Sequence, residues 1–164
     1  MQTYLPTHLP TPKQVRDLLV DLLGKEVTLS QSAPFAPGPN QPASIAVYTD
    51  DSLRPMALIA GDLKFSAYAG GALALVPLKS ADEAVEAGTL DQTLAETLYE
   101  VLNIASSMFN EPNHAHLRLH QLHPAGVPLD PMVRAQALTL GRREDLSVDI
   151  AGYGVGRLSL VMIA

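Results

Sequence analysis

Between Leu90 and Phe109 the apolar residues Leu90, Leu94, Leu98, Val101, Leu102, Ala105, Met108 and Phe109 recur at helical spacing. At about 100° per residue they fall on one side of a single helix. Gln92, Glu96, Glu100, Asn103 and Ser107 fall on the other, with Tyr99 and Ser106 at its border. A helix with one apolar side must lie on another layer, and the rest of the chain has to supply it. The spacing of Thr89 and Gln92 predicts a capping box at the start of this helix. Glu96, Glu100, Asn103 and Ser107 stand at i, i+4, i+7 and i+11, a narrow polar stripe expected to face outward.

A second helix is predicted over 12–23. Thr11 caps it, Pro12 suits its first position, Gln14 completes a capping box and Gly24 stops it. Val15, Leu18, Leu19, Leu22 and Leu23 make its apolar stripe. EVTLSQSA reads as a strand, and PFAPGPNQP, with four prolines, as a loop. ASIAVYTD and RPMALIAG read as a hairpin around DDSLRP. Asp62 can cap a helix through LKFSAYAGGALAL, whose small residues allow a close neighbour, and Pro77 ends it. SADEAVEAG adds a helical turn. After Pro112 four strands are expected, in HAHLRLHQL, MVRAQALTLG, LSVDIAGYG and GRLSLVMIA, with GYGVG as a hairpin turn. The sum is two or three helices and six or seven strands. That is one α+β domain over 1–164, with residues 1–10 as an N-terminal extension and long helices packed on a mostly antiparallel sheet.

Composition narrows the functional classes. The net charge is −6 with no dense Lys/Arg run, which disfavours nucleic acid and anionic membrane as partners. With no cysteine there is neither a disulfide nor a thiolate, which suits a reducing cytoplasm. No apolar run is long enough to span a bilayer, and MQTYLPTHLP has no secretory-signal pattern. AGG (69–71) and GYGVG (152–156) lack the spacing of a phosphate loop, and no zincin, EF-hand or nucleophile-elbow motif occurs. No cofactor or metal is expected.

Four histidines, His114, His116, His120 and His123, crowd into NHAHLRLHQLHP. On a strand His114, His116, Arg118 and His120 would share one face, and imidazoles ligate zinc, copper or nickel. Arg118 places a positive charge in that row and no carboxylate alternates with it, so a polar strand face is the plainer reading. The helix stripe also has a plain reading, since every surface helix needs a wet side. Asn103 is its odd member. Asn is a poor mid-helix residue, but its exposed amide both accepts and donates, so it can hold a water in one orientation.

The run Glu100-Val-Leu-Asn103-Ile-Ala-Ser-Ser resembles the E-x-x-N signature of the CheC/CheX family of chemotaxis phosphatases. The element order around it, over roughly residues 10–164, is similar to that family's as well. Leu102 stands where the family has a small residue, and Glu96 where it has Ser or Asp. The helical projection turns Leu102 toward the core. A single E-x-x-N resembles the CheX-like branch, which implies a homodimer.

The resemblance implies dephosphorylation of the phosphoaspartate of a CheY-like response regulator. Asn103 would orient the attacking water and Glu100 would pair with a lysine of the regulator, while the regulator carries the Mg²⁺. Glu96, Tyr99 and Ser107 would form the contact rim. The rival expectation is a non-catalytic signalling adaptor that binds its partner through the 89–110 helix. A metal-binding or pH-sensing module on the histidine row is the third.

Overall fold

The computed structural model describes residues 5–163. Helix α1 (Pro12–Leu23) opens with the Thr11/Gln14 capping box and closes on Gly24 in the left-handed region. Strand β1 (Val27–Gln31) follows, then the hairpin β2 (Ala43–Thr49) and β3 (Pro55–Asp62). Three helices come next, α2 (Leu63–Ala74), α3 (Leu78–Ala87) and α4 (Gln92–Ala105), with a 3-10 turn over Ser106–Phe109. β4 (Arg118–His123), α5 (Pro131–Ala137), β5 (Arg143–Ile150) and β6 (Gly154–Met162) complete the chain. The six strands form one sheet in the order β1-β5-β6-β3-β2-β4, antiparallel throughout.

Two segments depart from expectation. MVRAQALTLG is not a strand: its first half forms α5, because the Asp130 side chain accepts the Met132 amide and Pro131 takes the first helical position. The turn expected in SADEAVEAG is a ten-residue helix that starts directly after Pro77 and ends on left-handed Gly88. Among the described residues the count is therefore five α-helices on six strands.

β2 is buried along its whole length and β3 along nearly all of it, so both faces of the sheet are covered. The pleat sorts their residues by face. Ala46, Tyr48, Ala57, Ile59 and Leu160 join the core under α1, α2 and α4. Ile45, Val47, Leu58, Ala60 and Val161 join a smaller cluster with Phe35 and Ala137, covered by the proline-rich loop and α5. On this second side the buried Arg143 guanidinium bridges Asp145 with two 2.9 Å bonds and ties down the Ala137 and Thr139 carbonyls.

Helix α2 is buried almost all round, which explains its small residues. A Cβ at Gly70 would stand 2.8 Å from the Leu94 carbonyl oxygen, and Thr97 Oγ1 donates to the Gly70 carbonyl at 2.8 Å. The cost of a mid-helix glycine, about 1 kcal/mol against alanine, is offset by letting α4 lie directly on α2. At the N-terminus of α2, Asp62 accepts from the Phe65 amide at 2.8 Å and the Arg157 amide at 3.1 Å, joining the helix to β6.

Burial pushes the Asp62 carboxyl above its ordinary range, against the two amides that pull it down. The folded chain thus holds this proton to higher pH than the unfolded chain. Stability from this group falls as pH rises from the ordinary aspartate value to the raised folded one. Asp62→Asn keeps one acceptor for both amides and removes the charge. Its urea midpoint at pH 7 is expected to equal or exceed the wild type's, and the fall across that window should disappear.

Candidate docking face on helix α4

Helix α4 is capped by Asp91, whose Oδ1 accepts from the Leu94 amide at 2.8 Å, and not by Thr89. The helix starts later than the Thr89/Gln92 box requires, because Asp91 stands immediately before its first residue. Asp91→Ala should cost about 1 kcal/mol in denaturant unfolding, and Thr89→Ala well under half of that.

Leu94, Leu98, Val101, Leu102 and Ala105 are buried, and Met108 and Phe109 continue the apolar side through the 3-10 turn. Glu96, Tyr99, Glu100, Asn103 and Ser107 are all exposed, as the projection expects. At 4% exposure Leu102 points inward, so its bulk does not stand between Asn103 and a partner. Gln92 Nε2 donates to Glu96 at 2.9 Å. Among the described residues, the Glu100 and Asn103 side chains have no hydrogen-bond or ion-pair partner. Spaced i, i+3, their Cβ atoms are neighbours on one helical face, about 5–6 Å apart.

Two features of this face escaped the sequence reading. Ile104 is 42% exposed beside Asn103 and, with Tyr99 at 45%, adds apolar surface to the polar stripe. Helix α4 itself also carries charge of one sign, Glu96 and Glu100 with no Lys or Arg. From Ser80 to Leu117 the chain holds Asp82, Glu83, Glu86, Asp91, Glu96, Glu100 and Glu111 and no Lys or Arg. That signal was present in the sequence as a stretch free of basic residues. The two α4 carboxylates favour a positively charged partner surface and make encounter rates salt-dependent.

The histidines do not form a row. β4 begins only at Arg118, so His114 and His116 precede it, and the β2–β4 register shifts opposite His120. His114 is half-buried, its ring edge-on to His8 at 5.4 Å, with Nδ1 2.9 Å from the Pro112 carbonyl. Among the described residues no group of three or more His, Asp or Glu is arranged to hold a metal ion. No helix there is long and apolar enough to cross a membrane. A cleft of about 610 Å³ between the 37–42 loop, the 126–129 loop and α5 includes Arg134, but none of the stripe residues lines it.

No protein-family model and no curated protein matches the chain. Solved structures do. The FliM of the FliM–SpeE complex from H. pylori superposes with a TM-score of 0.58 at 8% identity, covering 92% of this chain and 80% of that one. The FliM middle domain from Vibrio alginolyticus gives 0.56 at 12% identity, covering 90% and 86%. The fold is that of the FliM middle domain. The CheX–CheY–BeF3–Mg²⁺ complex from Borrelia burgdorferi reaches 0.49 at 14% identity, covering 90% and 92%, a likeness too slight to carry weight. At these identities the property shared with FliM is the fold alone.

Proposed function

We propose that the protein accelerates dephosphorylation of an aspartyl-phosphate on a CheY-like response regulator, working through the exposed face of α4. The observation that carries this reading is the pair Glu100 and Asn103, exposed and unpartnered on a helix whose other side is locked into the core. A side chain that enters another protein's active site must stand on such a convex, pre-ordered element. The Asn103 amide accepts and donates at once, which lets it hold a water in line with the phosphorus. In the reaction the water oxygen bonds to phosphorus as the aspartyl oxygen–phosphorus bond breaks, giving inorganic phosphate and the free carboxylate. Such transfers need mainly positioning and charge compensation, and the regulator supplies the Mg²⁺. Glu100 and the acidic surroundings hold a basic group of the regulator, while Glu96, Tyr99, Ile104 and Ser107 form the rim.

A second reading follows from the superposition on FliM, seen in complexes with SpeE and with FliG. In it the same face serves a non-catalytic adaptor that binds a signalling partner. The test is the decay of a phosphorylated CheY-type regulator in Mg²⁺ with and without the protein. Accelerated decay supports the phosphatase, whereas unchanged decay with measurable binding leaves the adaptor.

A further inference from the structure

At the C-terminal end of α4 the hydrogen-bond ladder changes. The Ser106 amide turns to the Asn103 carbonyl and the chain tightens into the 3-10 turn, which leaves the Leu102 carbonyl without its usual helical donor. The missing donor comes from across the core. Tyr48 of β2, with no exposed surface, donates its hydroxyl to the Leu102 carbonyl oxygen at 2.5 Å. Its ring packs on Phe109, centroids 5.0 Å apart, so the same side chain also holds the far end of the 3-10 turn.

The strands on both sides of β2 are irregular beside this residue. The β2–β4 register shifts between Val47 and Tyr48, and the β2–β3 register between Tyr48 and Thr49. The extra residues are His120 on β4 and Met56 on β3, so β2 itself runs regular and its ordinary alternation points Tyr48, like Ala46, at the helical layer. On the outer side of the turn, Ser106 Oγ donates to the Asn103 carbonyl at 2.7 Å. Both carbonyls at the point where Asn103 leaves the helix are thus held by side chains, one from the core and one from the surface. Burial pushes the Tyr48 phenol well above the ordinary tyrosine value, so it remains a donor at any working pH.

We infer that Tyr48 is the positioning residue for Asn103: its buried hydroxyl fixes the last turn of α4, and with it the direction in which the Asn103 amide leaves the helix. The functional half of this inference rests on the proposed dephosphorylation; the structural half does not. Tyr48→Phe keeps the ring and removes only the donor, leaving a buried carbonyl unpaired.

The test compares amide hydrogen exchange and regulator dephosphorylation in the full chain for wild type, Tyr48→Phe and Val161→Ala. The last is a core truncation in the cluster on the far side of the sheet and controls for general destabilisation. Tyr48→Phe should speed exchange about tenfold within residues 103–109. It should also lower the saturating dephosphorylation rate several-fold at unchanged half-saturating concentration. Val161→Ala should produce neither pattern. Ser106→Ala, which loosens the same turn without touching the core, must shift both readouts in the same direction and keeps the test valid if Tyr48→Phe folds poorly. Unchanged exchange at 103–109, or the same increase over the whole chain, overturns the inference. So does loosened exchange with an unchanged rate. A wild-type chain that never accelerates decay sinks the phosphatase reading instead, and the exchange comparison still decides what Tyr48 does.

Discussion

Asn103→Ala is expected to reduce accelerated dephosphorylation about a hundredfold, to the regulator's own decay rate, while affinity for the regulator changes by less than about threefold. The magnitude is that of losing one group that places a reacting water, where misplacement of about 1 Å costs on the order of 10² in rate. The split between rate and affinity follows from geometry. Asn103 is one residue on a face that also offers Glu96, Tyr99, Glu100, Ile104 and Ser107, so most contact surface survives the truncation. Glu100→Ala should do the reverse, raising the half-saturating concentration, more at low salt than at high, with less effect at saturation. The two variants assayed together over a range of regulator concentrations separate a water-positioning group from an anchoring one.

Gly156→Ala is expected to be among the most destabilising single-atom additions in the molecule, costing about 3 kcal/mol or more. A Cβ at Gly156 would stand 2.5 Å from Phe65 Cα and closer still to the Phe65 amide nitrogen. Both are backbone at the first turn of α2, so no side chain can rotate away. The helix has to lift off the sheet, which strains the Arg157 amide bond to Asp62 and uncovers Phe65. Because α4 rests on α2 through Gly70 and Thr97, the exposed face of α4 would shift with it. Thermal unfolding should show a fall in Tm of roughly 10 °C for a chain of this size. A fall below about 2 °C would mean that α2 does not land on β6 at Gly156.

The elements legible in the sequence are those whose local signals agree. α1 has a cap, a first-position proline, an apolar stripe and a stopping glycine, and it forms with the expected ends. The exposure of Glu100 and Asn103 was legible for a related reason: a long amphipathic helix has one way to bury its stripe, and the remaining face is settled by geometry. α5 was not, since Val133, Leu138 and Thr139 suggest a strand while the Asp130-Pro131 start that decides it is only two residues long. The Thr89 box failed because two capping residues compete within three positions and Asp91 holds the later one. The Tyr48 bond to Leu102 had no local signal, because it joins residues far apart in sequence that only the packing of α4 on the sheet brings together.

We propose that the protein works through the outer face of α4. Amide chemical-shift mapping on the full chain, titrated with a beryllofluoride-activated CheY-type regulator in Mg²⁺, tests it most directly. The predicted result is perturbation concentrated at residues 96–107, lost in a Glu100→Lys variant. Perturbation centred instead on β4 or α5, with 96–107 unmoved, would contradict the assignment of this face.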